Sequence, residues 1–227
     1  MTTDDDNGPE PGPEPGPEPG PGLRERKKRE TRVALSQAAI RLCVERGWAN
    51  VSVEDIATAA NVSERTFRNY FSGKAEAIAA SHLERMGRVA DRLRARPDDE
   101  PLWESVVRAV EEQFAPRGAP GAGPARDRKR WAEGLRLMLA EPALHGEIVK
   151  ANAVAQAELA AAIAERTGTD AARDLYPKLL AAVVGACSAV AVEHAMNADP
   201  PTPLADVLRE AFDALAHGLP VPPRRTA

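Results

Sequence analysis

With 227 residues, 43% of them apolar and 28% charged, the chain is long and apolar enough to bury a core, which excludes an intrinsically disordered protein. Only 4% of residues are aromatic, and helix-forming Ala, Leu, Glu and Arg outweigh β-branched runs, so an all-α fold is expected. The net charge of -4 is uneven: residues 1 to 22 hold six acids and no base, whereas residues 23 to 75 hold eleven Lys/Arg against six Asp/Glu, an excess that permits phosphate binding.

Residues 8 to 22 repeat Gly-Pro-Glu-Pro, which can neither form a helical hydrogen-bond ladder nor bury a core, so residues 1 to 22 read as an extended, disordered tail. The first helix is expected from about Arg29, where Val33, Ala34, Ile40, Cys43 and Val44 recur at helical spacing until Gly47, a left-handed cap with Trp48 folded back on the helix end. Ser52 precedes Val53-Glu54-Asp55-Ile56-Ala57, an N-cap followed by two acids, which predicts a short helix over 53 to 60. After Asn61-Val62, Ser63 caps a third segment from Glu64 to Phe71, and a long fourth helix is expected from Lys74 to about Arg96.

Beyond Pro101, Leu102, Val106, Val107, Val110 and Phe114 share one side of a fifth helix. Three Pro and three Gly within 115 to 124 then predict a mobile loop. Helical patterns resume at about 126 to 140, 143 to 167, 170 to 197 and 203 to 217. Pro177 must either kink the third of these or mark its true first turn. No stretch approaches the roughly 20 apolar residues of a membrane span, and neither an export signal nor a disulfide between the distant Cys43 and Cys187 is suggested, so a cytoplasmic location without a membrane partner is expected.

Two short helices joined by a three-residue turn have the dimensions of a helix-turn-helix. Spacing alone is weak, but the second helix offers Arg65, Thr66, Arg68 and Asn69 outward while Phe67 and Phe71, four apart, can face inward. Arg pairs bidentately with guanine and Asn with adenine, and Thr can hydrogen-bond or touch a thymine methyl. Tyr70 and Lys74 stand where a phenol and an ammonium can hold phosphates.

The run Gly47-Trp48, Val53-Glu54-Asp55-Ile56-Ala57, Val62-Ser63, Arg65-Thr66-Phe67, Tyr70-Phe71 and Lys74 resembles the N-terminal signature of TetR-family transcriptional regulators over residues 30 to 80. The resemblance implies that Ser52, Ser63, Arg65, Thr66, Arg68, Asn69, Tyr70 and Lys74 face DNA, and that a nine- or ten-helix homodimer carries a small-molecule site in its second domain. Three positions depart from the pattern. Asn61 stands where glycine is usual, Glu64 would face phosphate unfavourably, and Arg68 occupies a position that is usually aromatic.

The implied organisation is a helix-turn-helix domain at 23–80, a helical ligand-binding and dimerisation domain at 81–219, and a disordered tail at 220–227. The segment Arg136-Leu137-Met138-Leu139-Ala140-Glu141-Pro142-Ala143-Leu144 resembles actinobacterial members of the family with acyl-CoA-like ligands. Trp103, Phe114, Trp131, Met138 and Tyr176 are the bulky groups available to line a ligand cavity, though each also reads as ordinary core. Two apolar stripes, Leu179, Val183, Ala186 and Val190 with Gly185 and Ala189 beside them, and Leu204, Leu208, Ala211, Phe212 and Leu215, could form a four-helix dimer interface or close the protomer's own core.

The reading is thus a ligand-responsive regulator, a repressor released from a palindromic operator by a small hydrophobic or acyl-CoA-like effector, with no cofactor and no metal. An enzyme is the weaker alternative: His145-Gly146-Glu147 lacks the Pro-Cys-x-x-Cys partner of zinc deaminases, His82, His194 and His217 stand alone, and no phosphate loop or nucleophile elbow occurs. A helical protein-protein adaptor without DNA binding is the other alternative, and the Arg65-Thr66-Arg68-Asn69 surface discriminates it.

Overall fold

The computed structural model describes residues 21–114, 133–198 and 202–221, and within them all regular structure is helical. In chain order these are α1 (Pro21–Arg46), a single 3-10 turn (Trp48–Asn50), α2 (Val53–Ala59), α3 (Glu64–Arg68), α4 (Lys74–Arg94) and α5 (Leu102–Phe114). There follow α6 (133–139), α7 (Pro142–Thr167), α8 (Leu175–Asn197) and α9 (Leu204–Ala216). The loop expected at 115 to 124, the start of the helix expected at 126, and most of both terminal tails lie outside the described residues.

Helix α1 begins about two turns earlier than its apolar stripe suggests, so Pro21 and Gly22 belong to a helix and not to the expected tail. The added turns are exposed and rich in Arg and Lys, good helix formers, and Arg26 pairs with Glu30 one turn on at 3.5 Å. A proline is tolerated in the first turn because its missing N–H would have no intrahelical partner there. The same asymmetry bounds α7, which starts on Pro142 and ends at Gly168, whose φ of 64° supplies the left-handed cap. Pro177 is the third residue of α8, so it marks the first turn and causes no kink.

Two apolar clusters make up the core. The first joins Leu35, Leu42 and Cys43 of α1, Ile56, Phe67, Phe71 and Ile78, and it is completed by Met138, Leu144 and Ala151 from α6 and α7. The second gathers Val89 and Leu93 of α4, Val106 and Val110 of α5, Leu159 and Ile163 of α7, Val184 of α8, and Leu208 and Phe212 of α9. Helices α4 and α7 run through both clusters. Residues 23–80 therefore do not close their own core, and the two halves of the chain share side chains across it.

At the far end of α4, Arg166 donates to the carbonyls of Arg96 at 2.9 Å and Pro97 at 2.8 Å, fixing the turn into α5. Glu100 in that turn accepts from Arg96 at 2.7 Å and from the Ser105 hydroxyl at 2.6 Å. These bonds hold its carboxyl well below the ordinary value, at about 2.

Two expectations about the last helices require correction. Leu208 and Phe212 are fully buried inside the protomer, with the Phe212 ring 5.9 Å from that of Trp103, and Leu204 packs against the same cluster. They close the core instead of presenting a free interface stripe. Helix α8, at 23 residues, is long and apolar enough to cross a membrane by length and composition, so such a stretch does exist. Its Leu180, Ala181, Val184 and Ala191 face inward, whereas Leu175, Tyr176, Leu179 and Val190 stand in solvent.

Candidate nucleic-acid interface and effector cavity

The helix-turn-helix is set by hydrogen bonds that its sequence encodes locally. Ser52 Oγ accepts from the Asp55 N–H at 3.0 Å, and the Asp55 carboxylate accepts in return from the Ser52 N–H at 2.8 Å and hydroxyl at 2.6 Å. That reciprocal box fixes the start of α2 and, by hydrogen bonding, holds the Asp55 carboxyl below its usual value. The turn then passes through Asn61 at φ 56°, a left-handed conformation that Asn tolerates better than most residues. Ser63 Oγ accepts from the Thr66 N–H at 3.1 Å and opens α3.

Helix α3 is shorter than its expected span to Phe71, ending at Arg68 with Asn69 as its cap. Phe67 and Phe71 are buried, with ring centroids 5.7 Å apart, and Arg32 of α1 lies 4.7 Å over the Phe71 ring. These contacts orient α3 so that Arg65, Arg68 and Asn69 are exposed and Thr66 and Tyr70 half-buried. Glu64 and Arg68 pair within the helix, Nε to carboxylate at 3.0 Å, so the acid that would oppose phosphate is already bound. Among the described residues no carboxylate engages Arg65. Lys74 is tied down: its ammonium donates to the carbonyls of Trp48 at 2.6 Å and Val51 at 2.9 Å and lies 4.4 Å from the Trp48 ring centre. Trp48 sits in the 3-10 turn after Gly47, whose φ is 82°.

Between α4, α6, α7 and α8 the structure contains a largely apolar cavity of about 560 Å³. Of the five bulky groups expected there, Phe114 and Met138 line it. Trp103 is instead packed on Phe212, Tyr176 is exposed on the outside of α8, and Trp131 lies outside the described residues. The cavity has polar groups that an inventory of aromatics misses: Ser81, His82 and Arg85 from one face of α4, and Asn152 and Gln156 one turn apart on α7. His82 Nε2 and Asn152 Oδ1 are 2.6 Å apart, and burial holds the imidazole below its usual value, hence neutral at pH 7. Gly185 belongs to this wall, since a Cβ there would stand 2.9 Å from Gln156 Nε2.

The signal for these residues is present but subtle. Positions 78, 81, 82 and 85 share a helix face by the 3.6 period, and a histidine and an arginine on an otherwise inward face are the clue. Ile40, Ile78 and Met138 also line the cavity while Ile78 and Met138 belong to the N-terminal core, so cavity and helix-turn-helix share a wall.

Residues 35–80 match the family model described as bacterial regulatory proteins, tetR family, and residues 100–220, more than half of the chain, match the MftR C-terminal domain model. The chain belongs to the TetR family of transcriptional regulators. It is 30% identical over 172 residues to the HTH-type transcriptional regulator TcmR of Streptomyces glaucescens, covering 74% of each chain. Among solved structures it is similar to a TetR-family regulator from Syntrophomonas wolfei, at 17% identity and TM-score 0.57 over 86% of this chain and 98% of that one. It also resembles FadR of Thermus thermophilus, a TetR-family repressor in complex with lauroyl-CoA, at 18% identity and TM-score 0.50 over 86% and 98% of the respective chains. As a TetR-family regulator the chain has a DNA-binding helix-turn-helix followed by a ligand-binding helical domain, and its relatives are regulators and not enzymes. Among the described residues there is no cluster of three or more potential metal ligands, and both cysteines are free.

Proposed function

We propose that this TetR-family regulator is a cytoplasmic repressor that binds a palindromic operator as a homodimer and leaves it when a small hydrophobic or acyl-CoA-like effector enters the second domain. The observation that carries the reading is the face of α3, where Arg65 and Asn69 are exposed beside Thr66 and held by buried Phe67 and Phe71. Arg65, Thr66, Arg68 and Asn69 read base edges, Ser52, Ser63 and Tyr70 approach phosphates, and Lys74 chiefly fixes the loop before α2. Residues 23–80 act as the DNA-binding unit and 81–219 as the effector and dimer unit.

The exposed apolar face of α8, with Leu175, Leu179 and Val190 in solvent, supports the homodimer, because a row of large apolar side chains left in water favours burial against a second copy. The cavity, with its two expected liners Phe114 and Met138, supports a hydrophobic effector, and the lauroyl-CoA held by the Thermus FadR is a ligand of that kind. Effector binding would act through the shared wall at Ile40, Ile78 and Met138, changing the separation of the two recognition helices from the roughly 34 to 36 Å that successive major grooves require.

Retention of duplex fragments from the region around the protein's own gene, measured at low and at moderate salt, tests the reading. Binding should weaken steeply with salt, and Arg65→Ala should cost about 1 to 3 kcal/mol without lowering the melting temperature. Failure to retain any such fragment at low ionic strength would refute it.

A further inference from the structure

Arginine side chains on α4 are, as a rule, neutralised in place. Arg88 lies 3.7 Å from Glu84, Arg92 lies 3.7 Å from Glu112, and Arg94 lies 2.8 Å from Glu165. Arg85 breaks the rule: among the described residues it has neither an ion pair nor a hydrogen bond, and it lines the apolar cavity. Its side chain remains exposed, while desolvation by the surrounding protein and the like charge of Arg88 push its pKa down. The carboxylate on the cavity wall, Glu193 of α8, makes no ion pair with it. A guanidinium so placed offers five donors that no protein acceptor among the described residues receives, so it is available to an anion in the cavity.

The surrounding groups suit an anion. His82 is neutral and its bond to Asn152 uses the amide oxygen, which leaves the Asn152 N–H groups of α7 as donors. Arg85 and Ile78 are seven residues apart on α4, so the charged position and the apolar end of the cavity are separated by about 10 Å along the helix axis. Ile40 and Met138 surround that apolar end.

We propose that the effector is an amphipathic organic anion whose acid group pairs with Arg85, assisted by Asn152, while its apolar body extends toward Ile40, Ile78 and Met138. The proposal rests on the cavity being the effector site and adds the charge, polarity and orientation of what it holds. An anion anchored at Arg85 sets how far its tail reaches into the wall shared with the helix-turn-helix. Neutral hydrophobes of the same length lack that anchor.

Calorimetric titration of the full-length protein, with no DNA present, tests this directly. The probes are octanoate, dodecanoate and hexadecanoate, the primary alcohols of the same lengths, and dodecanoyl-CoA. At least one carboxylate should bind ten or more times tighter than its alcohol, the range of a charge-assisted hydrogen bond. Arg85→Met should abolish that preference while still binding the alcohol, and Arg85→Lys, which keeps the charge, should retain part of it. Arg85-dependent binding of dodecanoate assigns a carboxylate. Arg85-dependent binding of dodecanoyl-CoA alone assigns a CoA phosphate, the other source of the same anionic chemistry.

Acids and alcohols that bind equally without Arg85-dependent binding of dodecanoyl-CoA, a preference that survives in Arg85→Met, or a failure of every probe to bind would overturn the proposal. Because DNA is absent from the titration, these outcomes are separate from a failure to retain operator DNA, which would remove the repressor reading instead.

Discussion

Gly134 is the position where the smallest change should have the largest consequence. A Cβ built on this residue of α6 would stand 2.3 Å from the Val44 carbonyl oxygen of α1 and 3.1 Å from its carbonyl carbon. Real Cβ atoms essentially never approach within 3.0 Å, so Gly134→Ala requires α6 and the end of α1 to separate by at least about 0.7 Å. The neighbour is backbone inside a helix and cannot swing aside as a side-chain tip would. Overpacking of this kind costs about 1 to 3 kcal/mol, and for a chain of this size each kcal/mol lowers the melting temperature by roughly 2 to 4 °C. The displacement also moves Met138, four residues on, which is buried in the N-terminal core and lines the cavity. Differential scanning calorimetry should therefore find Gly134→Ala melting about 2 to 12 °C below the parent. A variant with unchanged melting temperature would refute the close approach of α6 to α1, and with it the physical link drawn between cavity and helix-turn-helix.

Leu208→Ala should destabilise the protomer by about 2 to 5 kcal/mol in urea unfolding, as expected for a residue with no exposure in a packed core. Leu179→Glu with Val190→Glu, both exposed on α8, should leave protomer unfolding nearly unchanged yet shift sedimentation from dimer to monomer. Ser63→Ala removes the N-cap of α3 and should cost about 1 kcal/mol of stability together with operator affinity, read by urea titration and by fragment retention. Glu100 has a folded pKa lowered to about 2 from an ordinary 4.5, so its contribution to stability is complete above about pH 4.5 and is lost as pH falls toward 2. The stability difference between the parent and Glu100→Gln should accordingly be constant near neutrality and shrink through that acid window; a constant difference down to pH 2 would show that the Arg96 and Ser105 bonds do not act on this carboxyl.

The helix-turn-helix was readable because its caps and its turn are set by local sequence. Ser52 and Asp55 are three residues apart, Ser63 and Thr66 likewise, and Asn61 lies in the turn between them, so caps and turn chemistry are written in adjacent letters. The span expected over 143 to 167 likewise agrees with α7 to within one residue, because Pro142 and Gly168 mark its two ends locally. The early start of α1 was not, because exposed Arg and Lys residues carry no apolar period although they form helix well. An inventory of bulky side chains for the cavity found Phe114 and Met138 but also Trp103 and Tyr176, since size does not reveal which side of a helix a residue occupies.

Sequence alone determined the all-helical class, the family, the helix-turn-helix and the residues offered by α3, through short-range capping, period and composition. Tertiary structure alone decided which of two apolar stripes is free. Leu208 and Phe212 are spent on Trp103 and α5, while Leu179 and Val190 are left in water, and no periodicity distinguishes a stripe facing its own core from one facing a second copy. It also decided that His82 meets Asn152, 70 residues away, and that Arg85 has no ion-pair or hydrogen-bond partner among the described residues. Such pairings follow from how α4, α7 and α8 cross, and crossing is set by the fit of the whole core rather than by any segment of chain.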